Sequence, residues 1–142
     1  MWRKFDRNNI DDVKLLERLC KESGSASVAK EAAYIRRAIW LTKDKPQNLW
    51  CEIYDNLGFY MCTQCKSHVR GILTVVHKEH QGKGLGKIIN DRRLQRMYKE
   101  GIDTFKFRTN INEKAIDFWV RQGAKIVGLK GNDYEMELKI IL

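Results

Sequence analysis

Proline and long apolar runs are nearly absent from this sequence of 142 residues. Pro46 is the single proline, and no uninterrupted apolar run approaches the roughly 18 residues that a membrane-spanning helix needs. The first residues, Met1 to Asp6, also lack the apolar stretch of a secretory signal peptide. These absences argue against a membrane or secreted protein, and they predict a soluble cytoplasmic protein with no membrane partner.

The four cysteines offer no repeated metal-binding pattern. Cys62 and Cys65 form a lone Cys-x-x-Cys pair, whereas a structural zinc site needs a second pair of ligands. If this segment is a strand, residues three apart point to opposite faces of the sheet and cannot share an ion. We therefore predict free thiols and no metal site. His77 and His80 are likewise interpreted as part of a polar loop.

The sequence contains enough apolar residues for one packed domain. Hydrophobic residues make up 43% of the chain and charged residues 32%, a composition typical of a globular protein. The length fits a single domain spanning residues 1–142. No internal repeat, linker or low-complexity tract interrupts it.

Positive charge is in excess, and it is concentrated in one part of the chain. The 27 Lys and Arg residues outnumber the 18 Asp and Glu residues, which gives a formal net charge of +9. Residues 66–108 hold eleven of the cations and only four anions. The excess suits an acidic partner, and one hypothesis is a nucleic-acid-binding module. In that hypothesis a basic helix follows the phosphates through Arg92, Arg93, Arg96 and Lys99. A solvated helix face would have the same composition.

Hydrophobic periodicity predicts strands and helices that alternate along the chain. Strands are predicted at residues 2–5, 49–54, 59–62, 68–77, 104–108, 124–129 and 134–140. Helices are predicted at about residues 11–23, 25–39, 85–99 and 112–122. The fold class is therefore α/β or α+β, with a mixed and largely antiparallel sheet.

A glycine-rich loop lies between the strand at 68–77 and the helix that follows it. Gly82, Gly84 and Gly86 alternate with other residues, so the chain can turn sharply and bring successive main-chain N–H groups close to an anion. The helix N-terminus adds its own unpaired amides, and Lys83 and Lys87 add full charges. This set of donors predicts a phosphorylated ligand. The spacing fits neither a dinucleotide-binding fingerprint nor a P-loop.

Two motifs in this half of the chain resemble those of the GNAT family of N-acetyltransferases. Gln81-x-x-Gly84-x-Gly86 resembles the family's acetyl-CoA loop. Downstream, Asn112-x-x-Ala115-x-x-Phe118-Trp119-x-x-x-Gly123 is similar to its Asn-x-x-Ala-x-x-Phe-Tyr-x-x-x-Gly segment. The resemblance is firm from about residue 68 to 140. It implies a mixed, mostly antiparallel sheet of six to seven strands, flanked by about four helices.

The resemblance also implies which residues bind acetyl-CoA, the cosubstrate. The amides of the loop would bind the pyrophosphate, the strand before it would pair with the pantetheine arm, and the downstream segment would contact the arm and the thioester. The implied residues are Thr74, Val75, Val76, Gln81, Gly82, Lys83, Gly84, Leu85, Gly86, Lys87, Asn112, Phe118 and Trp119. Taken alone, Asn112 is typical of a helix N-cap and Phe118 of a core residue.

The reaction implied by the resemblance is acyl transfer by direct attack of a primary amine on the thioester. A base must first remove a proton from the ammonium form. The candidates for acid and base chemistry are Glu52, His68, His77, Glu79, Tyr98 and Tyr134. Trp119 stands where many relatives have a tyrosine that protonates the leaving thiolate, and an indole cannot supply that proton.

Three alternatives to this activity stay open at this stage. One is the nucleic-acid-binding module, and another is an acetyltransferase whose acceptor amine is carried by nucleic acid. The third is a degenerate relative that binds CoA without turnover, which the tryptophan at position 119 suggests. The motifs specify neither the carrier of the acceptor amine nor the oligomeric state.

Overall fold

The computed structural model describes residues 1–142 and contains seven strands and five α-helices. In chain order these are β1 (Trp2–Lys4), α1 (Ile10–Lys21), α2 (Ala26–Glu31), α3 (Ala33–Leu41), β2 (Leu49–Tyr54), β3 (Gly58–Gln64), β4 (Val69–Val76), α4 (Leu85–Glu100), β5 (Thr104–Asn110), α5 (Glu113–Arg121), β6 (Lys125–Lys130) and β7 (Asp133–Lys139). No helix is both long enough and apolar enough to cross a membrane.

The seven strands form one sheet in the order β1-β2-β3-β4-β5-β7-β6. Every neighbouring pair is antiparallel except β4 and β5, which are parallel. The predicted mixed, mostly antiparallel sheet is therefore confirmed. The single parallel pair lies near the centre of the sheet, and a cleft opens between its two strands.

The helix predicted over residues 25–39 is two helices, and this accounts for the fifth helix. α2 ends at Glu31 and α3 begins at Ala33, with Ala32 between them. Around Ala32 the main-chain bonds run three residues back instead of four, from Ala32 N to Ala29 O and from Ile35 N to Ala32 O. This tighter turn interrupts the α-helical ladder. The short α2 lies close to the C-terminal end of β5, where Asn110 Nδ2 donates to Ser27 Oγ.

Two hydrophobic clusters of 13 buried residues each hold the helices against the sheet. The first packs α1, α2 and α3 against Cys51, Ile53, Phe59, Met61, Leu73 and Val75. The second packs α4 and α5 against the opposite side chains of the same sheet, among them Trp50, Tyr60, Cys62, Val69, Phe105, Phe107, Met136 and Leu138. Alternate side chains along a strand therefore pack into different clusters, one on each face of the sheet.

All four cysteines are free thiols, as predicted. Cys20, Cys51 and Cys62 are buried, and Cys65 is partly exposed. Cys62 belongs to the cluster beneath α4, whereas Cys51 belongs to the cluster beneath α1. The buried thiols act as small apolar side chains, and burial raises the pKa of Cys20 to about 12.

Candidate functional site

The central parallel strands β4 and β5 separate soon after they begin. Their pairing is confined to Val69 with Phe105 and Arg70 with Lys106. Beyond Arg70, the main-chain groups of β4 that face β5 have no strand partner. The gap between the two strands is part of a cleft of about 1030 Å³. Residues 70–74 of β4 and 105–110 of β5 line it, together with side chains from α2, α3 and α5.

Gly71 allows the two strands to approach each other at the closed end of the cleft. A β-carbon on Gly71 would stand 2.7 Å from Cε1 of Phe105 and 2.9 Å from Cβ of Phe107. Any side chain here would push β4 and β5 apart, because real β-carbons do not approach other heavy atoms so closely.

A β-bulge follows at Ile72 and changes which side chains face α4. Met61 of β3 pairs with Leu73, but Cys62 pairs with Gly71, so Ile72 is the extra residue. Before the bulge the odd-numbered Val69 packs beneath α4. After the bulge Leu73 packs toward α1 instead, and the side chain of Thr74 reaches α4. Bulges commonly re-aim a side chain in this way next to a functional site.

The glycine loop precedes α4, and its main-chain amides have no hydrogen-bond acceptor in the chain. Gly82 and Gly84 have φ values of 75° and 83°, a region that side chains strain to adopt. Gly84 caps α4 with no side-chain hydrogen bond, and the N–H groups of residues 82–87 donate to no protein acceptor. A β-carbon would meet nothing within 4 Å at either glycine. The loop is therefore an open set of donors that fits a phosphorylated ligand.

Side chains around this loop fix its position. Gln81 Nε2 donates to Ser23 O at 2.7 Å and to Val76 O at 3.0 Å, which ties the loop to the α1–α2 connection and to the end of β4. The ring of Phe118 lies 3.5 Å from where a β-carbon on Gly86 would stand, so α5 packs against the start of α4. Lys87 Nζ pairs with Asp91 one turn further along the helix.

The downstream motif begins α5 and places two aromatic rings beside the cleft. Asn112 is the N-cap, and its Oδ1 accepts from Lys114 N at 2.9 Å. Phe118 and Trp119 pack edge to face, with ring centroids 5.1 Å apart. Trp119 is 8% exposed and packs against Phe107 of β5, with centroids 4.3 Å apart and the ring planes tilted by 48°.

The structure brings the predicted cofactor residues to one region without placing all of them in one cavity. Thr74, Asn112 and Trp119 line the cleft. The loop at residues 81–87 lies outside the cleft lining, on the exposed surface where α4 begins. A ligand that used both would run from this surface into the gap between β4 and β5.

Most of the predicted acid and base candidates lie away from the cleft. Glu52, His77, Glu79 and Tyr134 do not line it, and Tyr98 borders a separate hollow with Ile140 and Ile141. Burial raises the pKa of Glu52, but hydrogen bonds from Arg92 and Tyr60 outweigh it and leave the pKa lowered. A carboxylate held ionised in this way is a poor proton acceptor.

In the short loop after β4, polar groups contact one another and Glu22 at the end of α1. His77 Nδ1 accepts from Glu79 N at 3.2 Å, and His77 Nε2 lies 2.9 Å from Glu22 Oε2. Ligand atoms of His77, Glu79 and His80 lie within 4.8 Å of one another. Both ring nitrogens of His77 are already in contact with protein groups.

Two groups in the cleft lining have a shifted pKa, Glu31 and His68, and only His68 was a candidate from the sequence. Burial raises the pKa of Glu31, and the carboxylate of Asp133 raises it further against the effect of Arg108. Burial lowers the pKa of His68, with added effects of Lys106 and Arg70. The raised pKa makes Glu31 a stronger base than an ordinary carboxylate, and the lowered pKa favours the neutral form of His68, which can accept a proton. No sequence motif marks Glu31, because only the turn at Ala32 brings α2 over the strands.

The basic residues of α4 do not form a free cationic face, contrary to the nucleic-acid hypothesis. Arg92 is paired with Glu52 at 2.9 Å, and Arg93 is fully buried. Arg96 stacks over Trp50 at 4.6 Å from the ring centroid and reaches Glu100 at 3.6 Å. Lys99 alone of the four is exposed without an ion pair. Arg93 is therefore absent from the helix surface, and Arg92 and Arg96 are engaged in ion pairs, which disfavours the nucleic-acid hypothesis.

Known folds agree with this architecture. The PaiA N-acetyltransferase from Thermoplasma acidophilum, solved in complex with coenzyme A, is similar with a TM-score of 0.77 at 18% sequence identity, over 99% of this chain and 98% of that chain. The ribosomal-protein-S18-alanine N-acetyltransferase from Escherichia coli gives a TM-score of 0.77 at 12% identity, over 100% and 94%. An aminoglycoside 6'-N-acetyltransferase complexed with coenzyme A gives 0.73 at 17%, over 100% and 98%.

The sequence comparison identifies the family directly. Among curated proteins no sequence matches this chain significantly. The family model described as "Acetyltransferase (GNAT) family" matches residues 12–124, which include the glycine loop, both central strands and all of α5. This chain belongs to the GNAT family of acetyltransferases.

Proposed function

We propose that this chain is a cytoplasmic enzyme that transfers the acetyl group of acetyl-CoA to a primary amine. One observation carries the proposal, namely the row of unpartnered main-chain amides at residues 82–87 beside the opening between β4 and β5. Amides at a helix N-terminus favour a diphosphate, and the open strand edge favours an extended arm. Acetyl-CoA contains both groups.

The cofactor residues divide into three parts in this proposal. The amides from Gln81 to Lys87 bind the diphosphate, with added charge from Lys83 and from Lys87 once it leaves Asp91. The open edge of β4 at residues 74–76 pairs with the pantetheine arm. Asn112, Phe118 and Trp119 contact the arm near the thioester, which delivers the acetyl group.

The acceptor amine enters from the side of the cleft formed by α2 and α3. Its walls include Tyr34, Arg37 and Leu41, and its floor has charged side chains of both signs from β5 and β7. Lys106 lies directly opposite Glu137 and Arg108 opposite Glu135, so the cations of the floor are balanced. We propose a cationic amine as the acceptor, attracted by Glu31, since Asp133 is paired with Arg108 at 3.7 Å.

Glu31 is the residue that we propose as the base. An amine with a pKa of about 10.4 is mostly protonated at neutral pH and must lose a proton before it attacks. A half-buried carboxylate with a raised pKa is better suited to this role than an exposed one. The N–H of Val76, which points to the open edge of β4, would stabilise the charge on the thioester oxygen.

Calorimetric titration with CoA tests the proposal, and one binding site per chain is expected. The variant Gly84→Glu places a carboxylate among the amides and should abolish binding. Release of CoA thiol from acetyl-CoA should then depend on an added amine, tested with a polyamine, an aminoglycoside and a peptide with a free N-terminus. Failure of the wild type to bind CoA would contradict the proposal. Binding without thiol release for any amine would indicate a protein that holds CoA without turnover.

A further inference from the structure

A fully buried arginine lies directly behind the cleft. Arg93 is 0% exposed on the inner face of α4. Its guanidinium carbon lies 4.0 Å from the ring centroid of Phe105 and 5.3 Å from that of Trp119. Both of these rings line the cleft, whereas Arg93 itself does not. The positive charge is thus separated from the space between β4 and β5 by one layer of side chains.

No carboxylate neutralises this charge. Arg93 donates to Asn90 Oδ1 at 2.6 Å and to Thr74 Oγ1 at 2.8 Å, and both acceptors are uncharged. Its Nε has no acceptor, and neither has Nδ2 of the equally buried Asn90. A buried charge without a counter-ion is costly in an apolar interior, and aromatic faces offset only part of that cost. Structural stability alone gives no reason for a cation at this position.

Thr74 connects the buried cation with the cleft. The hydroxyl oxygen accepts from Arg93, while its own hydrogen has no acceptor within the protein. Thr74 lines the cleft on the open edge of β4. A hydroxyl that accepts from a guanidinium is polarised and becomes a stronger donor on its other side. The bulge at Ile72 is what turns Thr74 toward α4, so this contact depends on a specific feature of β4.

We propose that Thr74, oriented and polarised by the buried Arg93, donates a hydrogen bond to the sulfur of coenzyme A and stabilises its thiolate form. This inference rests on the proposed function. Thr74 is then a catalytic residue and Arg93 a positioning residue. The arrangement supplies by hydrogen bonding what Trp119 cannot supply as a proton donor.

The chemical step balances without a further reagent. The amine nitrogen forms the C–N bond to the acetyl carbon while the C–S bond breaks, and the sulfur keeps the electron pair of that bond. The ammonium form of the acceptor gives one proton to the base before the attack, and the base passes that proton to water. The nitrogen gives its second proton to the base after the C–N bond forms. Thr74 moves no proton, because it donates only a hydrogen bond, and the thiolate takes up a proton from water after release.

The other groups that face Arg93 do not titrate near neutral pH. Cys62 and Tyr60 approach it from β3, and burial raises the pKa of both, that of Cys62 to about 11 despite the opposing effect of Arg93. Phe105 of β5, Trp119 of α5 and Asn90 of α4 have no titrating group. Glu31 and His68 also line the cleft, but CoA and desulfo-CoA both meet them, so the difference in affinity between the two ligands reports on the thiol.

The experiment compares CoA with desulfo-CoA, which lacks the thiol, by calorimetric titration between about pH 6 and pH 9. A free thiol has a pKa of about 8.5, and stabilisation of the bound thiolate lowers that value. The affinity for CoA relative to desulfo-CoA should then rise with pH from the lowered value up to about 8.5 and be constant above it. A shift of one pKa unit gives a rise of about tenfold.

Variants assign the effect to the two residues. Thr74→Val keeps the shape of the side chain without its hydroxyl and should remove the rise, whereas Thr74→Ser should retain it. Arg93→Met should reduce the rise. If that variant does not fold, Arg93→Lys takes its place, because it keeps a cation but cannot bridge Thr74 and Asn90.

The possible outcomes distinguish a failure of this inference from a failure of the proposed function. Binding of neither ligand to the wild type would overturn the proposed function and the inference together. Binding of both ligands with the same pH dependence would overturn the inference alone. The inference is also contradicted if Thr74→Val keeps the full rise, or if the Arg93 variant weakens both ligands equally at every pH, as a purely structural role would.

Discussion

Phe105 lies so close to Gly71 that a β-carbon on the glycine would stand 2.7 Å from the ring. This contact closes the lower end of the gap between the two parallel strands, and the same ring covers the guanidinium of Arg93. The position of the cleft therefore depends on a residue with no side chain.

Replacement of this glycine should destabilise the protein by overpacking. We expect Gly71→Ala to lower the free energy of unfolding by about 1–3 kcal/mol, because neither the buried ring of Phe105 nor the β-carbon of Phe107 can move aside freely. Urea denaturation measures the difference. Gly128→Ala in β6 is the matched control, since the β-carbon there meets only Glu135 Oε2 at 3.8 Å. Equal stability of the two variants would show that Gly71 is not a packing constraint.

Glu52 should prove structural, and its contribution should depend on pH. Its pKa in the folded protein is lowered below the ordinary 4.5, so its ionised form stabilises the fold above that pH. This contribution disappears as the pH falls through the lowered pKa. We expect Glu52→Gln to lower the free energy of unfolding at pH 7 by about 1–3 kcal/mol. The difference in free energy of unfolding between the variant and the wild type should become smaller at acidic pH. CoA affinity should not change, and a large loss of affinity would argue for a role in the site.

Glu31 should determine the acid limb of the pH–rate profile. Because burial raises its pKa above the ordinary 4.5, kcat/KM should fall with decreasing pH through that raised value as the base becomes protonated. Glu31→Gln should lower the rate by about 10²-fold or more and flatten the limb. Glu79→Gln, an exposed carboxylate outside the cleft, is the control. An unchanged acid limb in Glu31→Gln would assign the base elsewhere, with His68 the next candidate.

Gly84 and Gly101 have similar positive φ values, so alanine variants of the two separate an effect on stability from an effect on binding. Gly84 and Gly101 have φ values of 83° and 71°, and a β-carbon at either would meet nothing within 4 Å. Alanine at each should therefore cost a similar 1–2 kcal/mol or so of stability. Only Gly84→Ala should weaken CoA, by about tenfold, because only that residue stands among the amides of the loop. Equal affinities in the two variants would remove the loop from the binding site.

The sequence was sufficient to predict the sheet, the glycine loop and the cap of α5. Each of these depends on local chemistry, such as alternation in β7, unstrained positive φ at glycine, and an asparagine before a helix. The break at Ala32 was not predictable in the same way, because residues 25–39 have helical spacing throughout. α2 packs against α1 and is linked to the end of β5 by the hydrogen bond from Asn110 to Ser27, and Glu31 at its end lines the cleft.

Arg93 shows where the interpretation of the basic helix was wrong. A prediction from charge alone places Arg93 with Arg92 and Arg96 on a solvated face of the helix. Its position in the helix indicates otherwise. Arg93 lies four residues after Ile89, eight after Leu85 and four before Met97, and all four residues are buried. That spacing indicates an inward side chain regardless of its charge. The β-bulge at Ile72 left no such pattern, so the contact of Arg93 with Thr74 could not be found from the sequence.

Amide NMR spectra recorded during a titration with CoA test the central claim most directly, with pantetheine as the ligand that lacks the diphosphate. We predict that CoA shifts the N–H signals of Gly82, Gly84 and Gly86 strongly. Pantetheine should shift the N–H signals of Val75 and Val76 but leave those of the three glycines unchanged. Saturation with CoA that leaves all three glycine amides unchanged would contradict the account.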